Sequence, residues 1–538
     1  MRGRVALCWL LLGCSPLTLA APSPSPRDCA SLAQMALPQA RIVSAARVAA
    51  GAFIAPGTKP GAKIPQVFRD APAFCRVQAV LTPSPDSDIK LEVWLPERGW
   101  NGRFRGQGNG GFAGYIDYGG LAAAVAQGYA SASTDTGHAG SDAAWALGHP
   151  EKVVDFGYRA IHLMTVRAKA IVQAFYGRPA TRAYFASCSN GGRQALMEAQ
   201  RFPDDYDGIV AGAPAYDWTR LLTNALGIVQ HADSATGYIP PAKLPMIARA
   251  VLDACDANDG VVDGVLGDPP RCRFDPSTLR CKQGDEDSCL TAAQVATLRT
   301  IYGGARDAAG KRLYFGFLPG AEDASAGWAA WLFGPKPGAN MLAFFVGNYF
   351  ADMVYGDPNW NYRDANLDVA LAAADRKTAA VLDAVDPDLQ AFVSRGGKLI
   401  LFHGWNDPAI SPLGTIAYYD EVAAKLGNRQ TRQSVRLYMV PGMLHCDGGT
   451  GAYSFGQNST DARSDADHDI YAALVRWVEQ GDAPTKIIAS RYAGRDGPVE
   501  MSRPLCPYPQ TARYAGKGDK NFAAAFVCAA APWDRARH

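Results

Sequence analysis

The chain has 538 residues, of which 48% are hydrophobic, 10% aromatic and 19% charged, and its formal net charge is +2. This supply of apolar side chains fills a large core, and the charge is too sparse for a disordered chain. It also excludes a broad basic surface for nucleic acid, which needs positive charge concentrated against phosphates. At about 150 residues per domain, the length suits three or four units, or one enlarged α/β domain with an insertion.

The N-terminus reads as an export leader over residues 1–20: Arg2 and Arg4, an apolar run over 5–13, then Ser15, Pro16 and the small residues Ala20 and Ala21. Leu11-Leu12-Gly13-Cys14 also fits a lipoprotein cleavage box, which would leave a lipid anchor on Cys14. No later stretch offers about 20 uninterrupted apolar residues, so no membrane span is expected. Removing Cys8 and Cys14 leaves an even set of cysteines, which in an exported chain suggests disulfides. Local spacing suggests Cys255–Cys272, Cys281–Cys289 and Cys506–Cys528, leaving Cys29–Cys75 and Cys188–Cys446.

Alternation of apolar and polar residues predicts a strand over 90–96. A short strand and a glycine-rich turn follow within 100–114, then a helix over 120–127. Residues 129–135 read as a strand running into a loop, 159–175 as a helix, 183–186 as a short strand and 193–202 as a helix. This is the strand–loop–helix rhythm of an α/β sheet. It lapses over 218–385, which carries local cysteines, a carboxylate-rich loop and many aromatics, and returns as strands at 397–402 and 434–440. The expected division is 27–217 and 386–538 as two parts of one sheet domain, with 218–385 as an inserted lid.

Ser187-Cys188-Ser189-Asn190-Gly191 resembles the Gly-x-Ser-x-Gly nucleophile elbow, with serine in the first position. His403-Gly-Trp-Asn-Asp407 and Met443-Leu-His445-Cys446 each follow a strand, where α/β folds build their sites. The order Ser189, Asp407, His445 is that of an α/β-hydrolase triad. Ser189 would attack, His445 would carry the proton and Asp407 would hold the imidazole. His403 is the rival base, or a pocket wall; His138 and His162 read as structural, and Asp135 as an acid in the wrong chain order. Oxyanion donors are expected from the backbone N–H of Asn190 and from Gly110 or Gly111. Cys188 and Cys446 flank the nucleophile and the base, so a bond between them would tie the two loops together. The glycine-rich loop lacks the Gly-x-Gly-x-x-Gly and Gly-Lys-Ser/Thr spacings, so no organic cofactor is expected.

Together, Cys188-Ser189, Asp407, His445-Cys446, the Asn109-Gly-Gly-Phe112 loop and the terminal cysteine pair resemble the tannase and feruloyl esterase family over roughly residues 29–530. That family includes a bacterial hydrolase of mono(2-hydroxyethyl) terephthalate. The resemblance implies an α/β-hydrolase fold with a large inserted lid, the same triad, and the five cysteine pairs above. It implies a structural calcium held by Asp256, Asp259, Val261, Asp263 and Val265, in a loop that concentrates the hard oxygen donors calcium prefers. It also implies a small aromatic ester as substrate. Hydroxycinnamoyl esters rank first, then gallate, then terephthalate monoesters, because 313–362 contains no arginine to clamp a free carboxylate. A non-enzymatic alternative is a binding protein of the same fold that has lost its chemistry. Nothing in the pattern specifies an oligomeric state.

Overall fold

The computed structural model describes residues 27–458, 465–494 and 497–530. The leader and Cys14 lie outside these residues. Nine strands form one mixed sheet: β1 (Ala40–Val48), β2 (Phe74–Leu81), β3 (Ile89–Pro96), β4 (Arg103–Gln107), β5 (Ala130–Thr134), β6 (Arg182–Cys188), β7 (Gly208–Gly212), β8 (Lys398–Gly404) and β9 (Val435–Val440). Their spatial order is β1-β2-β3-β5-β4-β6-β7-β8-β9. The β1–β2, β2–β3 and β3–β5 pairs are antiparallel, and every pair from β5–β4 onward is parallel.

Composition follows this division. β2 alternates buried and half-buried residues along much of its length, as expected of a strand with one covered face. β5 and β7 are buried at every position, as expected of parallel strands covered on both faces. β1 and β2 escape a sequence reading because the first interrupts its apolar residues with Arg41, Ser44 and Arg47 and the second carries Arg76 and Gln78. β7, Gly-Ile-Val-Ala-Gly, has no alternation to read.

Seven helices matter for the site: α1 (Tyr118–Ala126), α2 (Ala160–Tyr176), α3 (Asn190–Arg201), α4 (Trp218–Ala232), α5 (Met341–Asn348), α6 (Pro412–Leu426) and α7 (Ile470–Gln480). Ile161, Met164 and Ile171 of α2, Leu196 of α3, and Ile416 and Val422 of α6 share a core with one face of the sheet. Leu474 and Trp477 of α7 pack with Tyr184, Val210 and Ile400 in a second core. α3 begins at Asn190, earlier than the apolar periodicity suggests, because the chain turns from β6 into the helix at Ser189 alone.

Between β7 and β8 the described residues add no strand to the sheet. This lid region has its own core, in which Leu226 and Val229 of α4 pack with Leu298, Ile301, Phe333 and Val346. Phe112, Ala409 and Ile410, from loops at the sheet's edge, join the same cluster. The lid is therefore seated on the loops that carry the sequence motifs.

Asp135, the next residue after β5, is buried, and its Oδ1 accepts the N–H groups of Lys90 and Gly137 at 2.9 and 2.8 Å. It joins the end of β3 to the loop after β5 and takes no part in the triad. Burial pushes its carboxyl up to about 7, although both backbone bonds oppose this. The folded pKa lies above the unfolded value of about 3.9. The folded state therefore holds a proton that the unfolded chain has lost, and stability falls as pH rises from about 4 to about 7. Asp135→Asn keeps an acceptor for both N–H groups and removes that titration. We predict an unchanged melting temperature near pH 4 and one about 2–4 °C higher at pH 8, measured by differential scanning fluorimetry. A gain of equal size at both pH values would contradict the account.

Candidate active site

The β6–α3 turn puts Ser189 at φ 66° and ψ −127°, a conformation that L residues rarely adopt. Its N–H donates to Gly212 O of β7 at 2.9 Å, and its carbonyl accepts from Arg193 and Ala215. The turn closes only because glycines follow. A Cβ on Gly191 would lie 1.9 Å from Ser187 Oγ, and one on Gly192 would lie 2.3 Å from Gly212 O. The strain projects the Ser189 hydroxyl off the sheet edge, at the positive end of α3.

His445 and Asp407 arrive from the loops after β9 and β8. The Ser189 hydroxyl donates to His445 Nε2 at 2.9 Å, and His445 Nδ1–H donates to Asp407 Oδ2 at 2.7 Å. Asp407 is buried, and its Oδ1 accepts the N–H groups of Ala409 and Ile410 at 2.7 and 2.9 Å. Burial pushes its carboxyl up, but the neighbouring imidazoles of His445 and His403 outweigh that and hold it well below the usual carboxylate range. The chain of bonds can take a proton from a hydroxyl and keep the resulting cation beside an anion.

His403 is not in the cavity wall, where the sequence left it as an option. It is fully buried beneath Asp407. Its Nε2–H is shared between Asp407 Oδ2 and Ile410 O, both at 3.1 Å, and its Nδ1 meets Thr415 Oγ1 at 2.7 Å. Both ring nitrogens are committed, so it cannot reach Ser189 as a base. It is a second support for the carboxylate.

The glycine-rich loop also needs a correction. The N–H of Gly110 donates to the Tyr115 hydroxyl at 2.8 Å, so it is not available to an oxyanion. Gly111 lines the cavity beside Ser189 and Asn190. Of the expected oxyanion donors, this leaves the N–H groups of Gly111 and Asn190 as the candidates. The loop is held to α3 from three sides: Asn190 Nδ2 donates to Asn109 O at 3.1 Å, Gln194 Nε2 donates to Asn109 Oδ1 at 2.7 Å, and Asn109 N–H donates to Gln194 Oε1 at 3.1 Å. His138 Nε2–H donates to Phe112 O at 2.6 Å, and the ring stacks on Trp145. Burial lowers the His138 pKa to about 4, so this buried ring is neutral at physiological pH.

Ser189 and His445 open onto a cavity between the sheet edge and the lid. Its side walls are Trp218, Leu222, Trp331, Leu342, Phe345 and Ile410. Trp331 stacks on Phe345 and sets its ring edge-on to His445 at 5.2 Å. Among the described residues, no Arg, Lys, Asp or Glu lines the cavity. Arg363 lies outside it, against Tyr362 on the lid surface.

In the carboxylate loop, Asp256 Oδ2 accepts from Gly264 N–H at 2.9 Å, while its buried Oδ1 has no hydrogen-bond partner. Asp259 accepts from Val261 and Gly267 at 3.0 and 2.8 Å. Asp263 accepts from Val265 at 3.1 Å and pairs with Arg503. Arg503 sits 240 residues away in sequence, a partner that no local pattern reveals. Burial, then repulsion from Asp263 and Asp256, pushes Asp259 up to about 6. Elsewhere, His162, Glu198 and Asp205 bring ligand atoms within 4.8 Å of one another and could hold a metal ion.

The structure pairs Cys29 with Cys75, Cys188 with Cys446, Cys255 with Cys272, Cys281 with Cys289, and Cys506 with Cys528. Cys188–Cys446 joins the residue before Ser189 to the residue after His445 across 258 positions. Small misplacements of a catalytic group can cost about 100-fold in rate. A Cys188→Ser/Cys446→Ser variant is therefore expected to keep its far-ultraviolet circular dichroism and lose at least about 10-fold in kcat, with little change in KM. Wild-type kcat in the folded variant would remove the positional role.

The sequence pattern of the family "Tannase and feruloyl esterase" matches residues 75–529. The chain is 42% identical to an uncharacterized esterase of Xanthomonas campestris pv. campestris, over 94% of this chain and 91% of the relative. It is 36% identical to a probable feruloyl esterase B-1 of Neosartorya fischeri, over 85% and 86%. Among solved structures it resembles feruloyl esterase B from Aspergillus oryzae, with a TM-score of 0.85 and 30% identity over 93% of this chain and 99% of the other. It also resembles tannin acyl hydrolase from Aspergillus niger, with a TM-score of 0.73 and 25% identity over 94% and 96%. On these matches, the chain belongs to the tannase and feruloyl esterase family of α/β-hydrolase-fold serine esterases.

Proposed function

We propose that this protein hydrolyses esters of aromatic acids, hydroxycinnamoyl esters foremost, through an acyl-enzyme on Ser189. The observation that carries this reading is the Ser189–His445–Asp407 hydrogen-bond chain opening into an aromatic-walled cavity with no charged side wall. Ser189 Oγ attacks the ester carbonyl and its proton passes to His445 Nε2. The carbonyl oxygen takes the negative charge and is met by the N–H groups of Gly111 and Asn190. His445 returns the proton to the departing alcohol. Water, activated by the same imidazole, then releases the acid. A flat acyl group gains dispersion and stacking against Trp218, Trp331 and Phe345.

The cavity's lining also supports an order among substrates. A terephthalate monoester brings a carboxylate that finds no cation among the lining residues, and a galloyl ring brings hydroxyls that find few partners there. A feruloyl or related group presents less polarity to the same walls. The relatives named as feruloyl esterases favour the same first choice.

We further propose a structural calcium held by carboxylate oxygens of Asp256, Asp259 and Asp263 and the carbonyls of Val261 and Val265. The donors are hard oxygens, which suit calcium, and the unpartnered, buried Asp256 Oδ1 lacks a proton donor that a cation would replace. The loop lies in the lid and is stapled by Cys255–Cys272, so the ion would support the fold and take no part in the chemistry. Division of the chain at about 217 and 385 is supported by the lid core, most of whose residues fall between those positions. Export is supported by the paired cysteines, since disulfides persist in oxidising compartments.

Ser189→Ala is expected to abolish turnover of methyl ferulate. Asp407→Asn should cost several powers of ten in kcat, about 10⁴ in the chymotrypsin-type precedent. Across methyl ferulate, chlorogenate, methyl gallate and the terephthalate monoester, kcat/KM should be highest for the first two. A preference above about 100-fold for the terephthalate monoester would overturn the ranking.

EDTA should lower the melting temperature and calcium should restore it, because a ligand bound only by the folded state stabilises it by mass action. Atomic absorption after dialysis should give about one calcium per chain. No metal and no thermal response would remove the site.

A further inference from the structure

Arg193 lies one helical turn after Asn190 on α3, and its side chain folds back toward the helix N-terminus. It is fully buried. Nε and Nη2 both donate to Asn190 Oδ1, at 2.9 and 2.7 Å. Nη1 donates to Gly157 O at 2.7 Å, and Nη2 to Phe156 O at 3.1 Å. Every one of these acceptors is a neutral amide oxygen. The guanidinium lies against the rings of Phe156 and Trp218, 4.8 and 5.3 Å from their centroids. The carboxylate whose field reaches it, Asp383, is already bound by the N–H and hydroxyl of Thr219 at 3.0 and 2.9 Å. Burial lowers the Arg193 pKa to about 9, which still leaves it a cation at neutral pH.

A buried cation without an ion-pair partner is costly and rare. This one is bonded to the side chain of Asn190, the residue whose backbone N–H is assigned to the charge that appears during the reaction. Asn190 supplies one oxyanion N–H from its backbone. Its side chain, gripped by Arg193, donates to Asn109 O and so fixes the loop that carries Gly111. The three residues form one relay: guanidinium, Asn190 amide, Asn109 carbonyl.

We propose that Arg193 is the positioning residue of the oxyanion site. Its two-pronged grip on Asn190 fixes both N–H donors, and its unpaired charge favours the tetrahedral oxyanion over the neutral ester. In the resting enzyme no carboxylate among the described residues pairs with that charge in contact, and Asp383 acts on it only through its field; the transition state brings a further anion. A group that acts this way changes kcat and leaves KM largely alone. The inference rests on the assignment of Ser189 as nucleophile and of Gly111 and Asn190 as donors.

The test compares wild type with Arg193→Met, Arg193→Lys and Asn190→Ala, with Ser189→Ala as a control. Each is measured for kcat and KM on methyl ferulate. Each is also titrated with two inhibitors: an arylpropenyl trifluoromethyl ketone, which forms a tetrahedral oxyanion on serine, and ferulamide, which stays a neutral ground-state ligand. Circular dichroism checks folding. Arg193→Met should lower kcat about 100-fold and weaken the ketone by a similar factor, with KM and the ferulamide constant within about 3-fold. Arg193→Lys, which keeps the charge and loses the grip, should recover about 10-fold of both losses. Asn190→Ala keeps its backbone N–H and should show the same kcat-only loss; it carries the test alone if Arg193→Met does not fold. Ketone and ferulamide affinities that fall together, or a folded Arg193→Met with kcat and ketone affinity within 3-fold of wild type, would overturn the proposal. Retained turnover in Ser189→Ala would instead overturn the assignment of the nucleophile.

Discussion

One residue makes the handover from β6 to α3, and Ser189 makes it at a positive φ. A backbone held there costs of order 1–3 kcal/mol and persists only where its surroundings over-determine it. Here they do so by several independent means. β7 accepts the Ser189 N–H, Gly191 and Gly192 leave room that any side chain would fill, and Cys188 is bonded to the loop after β9. In the chain-entropy description, a bridge across 258 positions constrains the unfolded chain by about 5 kcal/mol. The bond that stabilises the fold is therefore also the one that keeps the hydroxyl and the imidazole in register.

Electrostatics around the elbow follow from what is buried. Asp407 is ionised because two imidazoles and two backbone N–H groups compensate its burial. The cavity beside it is apolar, so little solvent screens charge that develops on the ester oxygen. The lid supplies much of that dryness: Trp331, Leu342 and Phe345 come from it, and Trp331 also braces the His445 ring. Lid and sheet are thus joined by shared apolar packing at the site itself, through Phe112, Ala409 and Ile410.

The parallel half of the sheet was legible where motifs follow strands. Cys188-Ser189, His403 to Asp407 and His445-Cys446 each end an apolar run, and their order along the chain suggests the fold. What was not legible depends on partners distant in sequence. Gly110 and Gly111 look alike in sequence, and only the Tyr115 hydroxyl folding back onto Gly110 separates them. His403 and His445 both stand near Asp407; burial and Thr415 commit the first to a supporting role. Asp263 reads as a free loop carboxylate in the sequence, and its partner Arg503 lies 240 residues away. Arg193 sits at an ordinary helical spacing, and nothing in the string of letters says that its charge is buried among neutral carbonyls. β1 and β2 escape for a different reason: β1, the edge strand, breaks its apolar residues with Arg41, Ser44 and Arg47, and β2 carries Arg76 and Gln78 among its apolar residues.

The central claim is a covalent acyl-enzyme at the elbow. Its most direct test is to mix the enzyme with methyl ferulate, quench in acid within milliseconds and map the peptides by mass spectrometry. The account predicts a feruloyl mass increment on the peptide carrying Ser189, absent from Ser189→Ala and lost on longer incubation before the quench. A feruloyl adduct on any other residue of the active enzyme, persisting in Ser189→Ala, would contradict it.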